Sequence, residues 1–175
     1  INSVTWAENS EELLVEMLSR SRDSRQFLLI NVKSGDVNKA YEESDPAWVD
    51  ASYAANAGLE WIHDGKEFVL LSERDGWRHA YVISRDGRQK KLITKQASDI
   101  IARGPVDGHN HLYFFASPDN ATQRYLYRVT LTGGIEPQRV TPADQPGTHR
   151  YEFSPDRKWA FHTYSTFDSP HTTDL

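Results

Sequence analysis

His109 and His111 are separated by one residue, so a strand through them would point both imidazoles to one side, with Asp107 or His149 available as a third zinc ligand. The plainer reading is that histidines beside an Asp-Gly turn, here Asp107-Gly108, are solvated or bonded to turn backbone, and no metal is assigned. Glu42 and Glu43 form a second pair, because adjacent carboxylates in a partly desolvated funnel can grip a substrate ammonium. They lead into Ser44-Asp45-Pro46, however, and a charged strand exit is ordinarily just solvated. Trp48, Tyr53 and Trp61 could wall a site for peptide or sugar. Core packing suits the two tryptophans better, given the area an indole buries. Tyr53 differs, since its neighbours Ala51, Ser52, Ala54 and Ala55 are small and suggest a loop, where an aromatic ring more often faces a ligand. It is the single candidate for substrate binding. The chain has no Gly-x-Ser-x-Gly elbow, no phosphate-cradling Gly-rich loop, no His-Glu-x-x-His and no regular calcium loop, so no catalytic residue and no cofactor is assigned. Asn120-Ala121-Thr122 has the form of a glycosylation sequon, which carries little meaning in a bacterial setting.

Whatever these residues do, a fold must hold them. The chain has 175 residues, with 20 Lys and Arg against 25 Asp and Glu, a formal charge of −5 that argues against a nucleic-acid platform. Hydrophobic residues make up 38%, enough for a sizeable core. The absence of cysteine excludes disulfides, thiol nucleophiles and thiolate metal sites. No apolar run approaches the ~18 residues of a membrane span. The start at Ile1 has no charged segment leading into an apolar one, so a targeting signal is expected to be absent or already removed.

Short runs rich in Val, Ile, Leu, Tyr and Phe alternate with turn residues, which predicts strands throughout. Glu11 to Arg20 has apolar residues at helical spacing, yet the Arg22-Asp23-Ser24 turn and the β-type run Gln26 to Val32 make it one arm of a hairpin. The hairpin recurs around Asp75-Gly76 and Asp119-Asn120, and each copy is followed by a second turn and one more short run. A further strand precedes each hairpin, giving a unit of four strands joined by tight turns. Equivalent turns at Asp23, Asp75 and Asp119 are 52 and 44 residues apart, a spacing typical of propeller blades. Blades are expected at residues 1–45, 57–94 and 99–141, with a half blade of two strands at 148–165. The fold class is therefore all-β, a partial β-propeller of about three and a half four-stranded antiparallel blades. A complete two-layer β-sandwich with irregular spacing is the alternative.

The run Leu70-Leu71-Ser72-Glu73-Arg74-Asp75-Gly76-Trp77-Arg78-His79-Ala80-Tyr81 resembles the late propeller blades of dipeptidyl peptidase IV-like members of the prolyl oligopeptidase family of serine peptidases. Trp48-Val49 with Leu59 to Asp64 upstream, and Tyr125 to Val129, Gly133-Gly134 and Arg139-Val140-Thr141-Pro142 downstream, extend the likeness. So do Gly147-Thr148-His149, Phe153-Ser154-Pro155-Asp156, Tyr164-Ser165 and Phe167-Asp168. The resemblance implies a ring of about eight blades capping an α/β-hydrolase domain that removes N-terminal dipeptides ending in proline or alanine. It also implies that the catalytic Ser, Asp and His lie beyond Leu175, leaving this segment noncatalytic. The family's paired glutamates sit in an earlier blade within a Trp-x-Tyr-Glu-Glu-like context. Tyr41-Glu42-Glu43 lacks the preceding Trp and falls at the wrong place in the blade order, so that role is not transferred. The loop after Trp48-Val49 approaches the cleft in relatives, which again selects Tyr53.

The expected partners are the hydrolase domain of the same parent chain, peptide substrates, and further copies of the chain meeting through exposed blade faces or edges. Nucleic acid and a membrane span are not expected. A bacterial periplasm or the medium is the expected location, with the cytoplasm left open. The competing functions are a freestanding propeller-like binding or scaffold module and a carbohydrate-binding β-sandwich.

Overall fold

Fifteen strands make up the regular structure of the computed structural model, which describes residues 1–51 and 59–175. Tyr53 lies outside the described residues. The strands form four antiparallel sheets, each a meander in which chain neighbours are also sheet neighbours. This consecutive order is that of blades. A two-sheet sandwich would need strands to cross from one layer to the other.

The first compact unit, Ile1–Gly76 with Ala80–Leu92, holds two of these sheets. In the first run β1 (Ser3–Trp6), β2 (Glu12–Leu18), β3 (Ser24–Asn31) and β4 (Val37–Ser44). Glu11 to Arg20 is thus extended rather than helical, because Leu14, Val15 and their neighbours pair residue for residue with β3 across the Arg22-Asp23 turn. The second sheet contains β5 (Glu60–Ile62), β6 (Glu67–Ser72), β7 (His79–Ser84) and β8 (Lys90–Leu92). The two pack through Leu14, Phe27, Leu29, Ala40 and Tyr41 on one side and Phe68, Leu70, Tyr81 and Ile83 on the other. Phe68 is fully buried at the centre, with ring centroids 6.5 Å from Phe27, 6.4 Å from Tyr41 and 5.4 Å from Trp61. Burying each such side chain is worth about 1.5–3 kcal/mol, which a solitary sheet would forgo.

One polar and one steric device tie these sheets. Arg85 donates to the carbonyls of Gly65 (2.9 Å) and Ala7 (3.1 Å) and to Glu12 Oε2 (2.6 Å), while its guanidinium lies 4.6 Å over Trp61. Its hydrogen bond holds the Glu12 carboxyl below the usual range. Gly87, at φ 70°, lets the β7–β8 turn approach β4 so closely that a Cβ there would stand 1.9 Å from the Ala40 carbonyl oxygen.

The second unit, Trp77–His79 with Ile93–Leu175, holds the other two sheets. One contains β9 (Ile100–Val106), β10 (His111–Ala116), β11 (Tyr125–Thr130) and β12 (Gln138–Arg139). The last contains β13 (Thr148–Phe153), β14 (Ala160–Thr166) and β15 (Ser169–Asp174). It has a third strand where the sequence suggests two. Ser169-Pro170-His171-Thr172-Thr173-Asp174 is exposed throughout, so it lacks the apolar alternation that marks the others. The sheets meet through Tyr113 on Phe153 (5.1 Å), Phe115 on Tyr151 (6.4 Å) and Tyr125 on His149 (5.6 Å). Backbone bonds from Arg124 N to Gly147 O (3.1 Å) and His149 N to Arg124 O (2.9 Å) fix their registration.

Candidate functional site

Successive strand residues face opposite sides of a sheet, and this separates the two carboxylates of β4. Glu42 faces outward, accepting from Gln26 Nε2 at 2.6 Å and from Lys39 Nζ. The Lys39 bond, then that of Gln26, lowers its pKa. Glu43 faces inward, with its side chain 9% exposed. It accepts from Tyr41 Oη (2.9 Å) and Ser72 Oγ (2.5 Å), and lies 3.6 Å from the guanidinium groups of both Arg25 and Arg74. Arg25, 1% exposed, is held at its other side by Glu16 Oε1 at 2.7 Å and rests over Phe27 at 4.7 Å. Glu16 in turn accepts from Asn2 (2.8 Å) and Ser3 (3.0 Å).

The result is a buried alternation of charge, Glu16, Arg25, Glu43 and Arg74, that crosses from the first sheet to the second. Arg74 donates to Tyr41 Oη and lies 5.0 Å over the Tyr41 ring and 5.3 Å over that of Tyr81. Burial, reinforced by Glu43, pushes the Tyr41 phenol far above its usual pKa. Burial and then Asp75 raise that of Tyr81 to about 12. Both phenols are therefore neutral donors at physiological pH. Two hydroxyls already bond Glu43 Oε2 and two guanidinium groups stand 3.6 Å from the carboxylate, so an incoming ammonium would meet two like charges. Glu43 is thus a structural brace between the two sheets, and Glu42 on the other face takes no part in it.

The described residues that lead toward Tyr53 are well anchored. Asp45 Oδ1 accepts from the backbone of Ala47 (2.8 Å) and Trp48 (3.2 Å), and Val49 N donates to Arg22 O at 2.7 Å. These two backbone bonds hold the Asp45 carboxyl below its ordinary pKa. Trp48 is 54% exposed, against the expectation of core packing, because this turn carries it to the surface, where Arg22 covers it at 5.6 Å. Trp61 does pack as a core-edge residue, its ring T-shaped against Phe68. No ring contact joins the two indoles among the described residues.

The histidines suggested for zinc are not assembled for it. Asp107 Oδ1 accepts the backbone N–H of His109 (2.8 Å) and His111 (2.9 Å), so this carboxylate caps the β9–β10 turn. Burial raises its pKa, but the two N–H bonds and the nearby imidazoles outweigh that and leave it lowered. His149 is occupied elsewhere, 2.8 Å from His162. No group of three metal-binding side chains occurs among the described residues.

His162 and its neighbour Asp174 escaped the sequence reading, although a signal was present. The turn at Asp156-Arg157 pairs Phe153 with Ala160, Tyr151 with His162 and His149 with Tyr164. Any two residues whose numbers add to about 313 are thus close, which brings the two histidines into diagonal contact on one face.

Residues 1–171 match the family described as the dipeptidyl peptidase IV (DPP IV) N-terminal region. Dipeptidyl aminopeptidase B of Saccharomyces cerevisiae is 26% identical over 174 residues, covering 94% of this chain and 21% of that protein. A probable dipeptidyl peptidase 4 of Emericella nidulans is 25% identical over 138 residues, covering 74% and 18%. Among solved structures, Porphyromonas gingivalis dipeptidyl peptidase 4 superposes with a TM-score of 0.85 at 22% identity, over 97% of this chain and 23% of that one. A putative dipeptidyl aminopeptidase IV from Bacteroides ovatus gives 0.80 at 18% identity, over 99% and 27%. The fold is that of propeller blades, an all-β partial β-propeller. The chain spans about a fifth of the length of the curated relatives it matches.

Proposed function

The chain belongs to the dipeptidyl peptidase IV N-terminal region family, and from that premise we propose that it supplies late blades of the propeller in a serine exopeptidase that removes N-terminal dipeptides with proline or alanine second. The observation that carries this reading is the family match along residues 1–171. In it the blades do no bond-breaking. They enclose a cleft formed with an α/β-hydrolase domain of the same parent chain, so that only short or unfolded peptide termini reach the nucleophile and bulk water is held back. Two features of the chain support a noncatalytic role: it carries no nucleophile elbow, and its inward carboxylate Glu43 is already engaged by the Tyr41 and Ser72 hydroxyls and flanked by two arginines. Tyr53 is its proposed contact with substrate, a few residues beyond a turn fixed by Asp45 and Arg22.

The two solved structures compared above come from bacteria, and the periplasm or the medium of a bacterium, where peptides arrive from outside, is the location this reading favours. No helix among the described residues is long and apolar enough to cross a membrane. The test is a release assay on a Xaa-Pro amide. The purified 175-residue chain gives no turnover, whereas a longer chain joining the same blades to its hydrolase domain does. Turnover by the short chain, or none by the long one, overturns the proposal.

A further inference from the structure

Two imidazoles share one hydrogen bond inside the second unit. His149 is 0% and His162 8% exposed. His149 Nδ1 lies 2.8 Å from His162 Nε2, and the ring planes differ by 4° with centroids 5.1 Å apart. That combination means the rings meet edge to edge in one plane. At one end His149 Nε2 meets the Gln145 carbonyl oxygen at 3.0 Å, and at the other His162 Nδ1 meets Asp174 Oδ1 at 3.0 Å.

These contacts dictate where protons sit. A carbonyl oxygen only accepts, so His149 Nε2 carries hydrogen. With that ring buried and neutral, its Nδ1 is bare and accepts from His162 Nε2–H. His162 Nδ1 then faces a carboxylate oxygen, and two acceptors at this distance repel unless a proton lies between them. Protonating His149 Nδ1 would break the central bond and set a second cation beside Arg139.

The surroundings leave little to compensate. Tyr125 of β11 lies 5.6 Å from the His149 ring, and Arg139 of β12 lies 3.6 Å over Tyr125. Tyr151 of β13 stacks on His162 at 4.4 Å, and Tyr164 of β14 runs nearly parallel to both imidazoles at 5.3 and 5.5 Å. Arg124 Nε is committed to the His149 carbonyl at 3.1 Å. Asp174 of β15 is the carboxylate that faces the pair.

We propose that the line Gln145, His149, His162 and Asp174 is a proton-keyed latch, which holds the loop before β13 and the strands β13, β14 and β15 together near neutral pH and releases them in acid. Burial first, then His162 and Arg139, pull the His149 pKa below its ordinary value, the Gln145 carbonyl opposing them. A histidine whose folded pKa is depressed binds protons more readily when unfolded. The stability it confers is present above about 6.5 and is lost as pH falls from there toward the folded value.

The test begins with the full chain and needs no variant. Long-range proton–nitrogen NMR on 15N-histidine protein is expected to show His149 protonated on Nε2 alone and reaching half-ionisation only below pH 6.5. A proton on Nδ1, or half-ionisation at or above pH 6.5, overturns the latch. Amide exchange, corrected for its intrinsic pH dependence, then reads the consequence. Protection in β13 and β14 is expected to fall below pH 6.5 by up to about tenfold per pH unit, and His149→Phe to remove that slope. The same pH dependence in β2 and β3 of the first unit as in β13 and β14 would also overturn it.

Discussion

Truncating Glu43 decides whether it is a brace or a clamp for a substrate ammonium. In Glu43→Ala the Tyr41 and Ser72 hydroxyls lose an acceptor, and Arg25 and Arg74 lose a countercharge 3.6 Å away. Removing one partner of a buried ion pair costs about 3–5 kcal/mol. Arg25 keeps its 2.7 Å bond to Glu16, so the lower end applies, about 3 kcal/mol. Glu43→Gln retains an acceptor oxygen but no charge, and is expected to cost about 1–2 kcal/mol. Glu42, exposed beside Lys39, is the control, and Glu42→Ala should leave the unfolding midpoint where it was. With a urea m-value of about 1.5–2 kcal/mol/M, Glu43→Ala lowers the midpoint of the first unit by about 1.5–2 M. Tryptophan fluorescence follows it through Trp61, which packs on Phe68 in the same core. If Glu42→Ala and Glu43→Ala shift the midpoint equally, or Glu43→Ala costs under about 1 kcal/mol, the brace is refuted.

Other outcomes follow from geometry. Gly87→Ala would place a Cβ 1.9 Å from the Ala40 carbonyl at positive φ, so it should destabilise the first unit by about 2 kcal/mol or more in the same urea titration. Gly35→Ala meets open space at a similar φ of 77° and should cost only about 1 kcal/mol; equal losses would mean the close approach is not limiting. Val4, Trp6, Met17 and Val37 are each at least 40% exposed on the first sheet, and self-association of the chain through such faces is expected. Light scattering showing a clean monomer at high concentration would remove that expectation. In a complete enzyme, Tyr53→Ala should raise KM several-fold for Xaa-Pro amides with a smaller change in kcat, and an unchanged KM would exclude Tyr53 from the substrate site.

The blade pattern was legible because each strand's burial shows in its own letters. Phe68-Val69-Leu70-Leu71 is an uninterrupted apolar run, and the structure buries all four residues. The outer strands were less legible. The short runs that follow the second and third hairpins, Gln89 to Thr94 and Glu136 to Thr141, are each six residues long in the sequence, yet the strands are only Lys90–Leu92 and Gln138–Arg139. Edge strands are half exposed and polar, so their composition says little about where pairing stops. β15 is the extreme case, paired to β14 with every residue exposed.

Polar side chains were the hardest to place, for a reason that also explains what they do. A strand tells which side a residue faces but not which partner strand stands opposite, and that is set by turns far along the chain. Glu43 finds Ser72 29 residues away, and Tyr41 meets Arg74 33 residues away. Arg85 reaches Glu12 across 73. Each of these contacts joins two sheets, so each exists only once both have formed and docked. The buried charges thus act as keys for docking: apolar faces would tolerate a slipped interface at modest cost, whereas a slip that parted Glu43 from Ser72 and Arg74 would forfeit several kcal/mol. The His149 and His162 pair keys β13 to β14 within one sheet, and that key can be withdrawn by a proton.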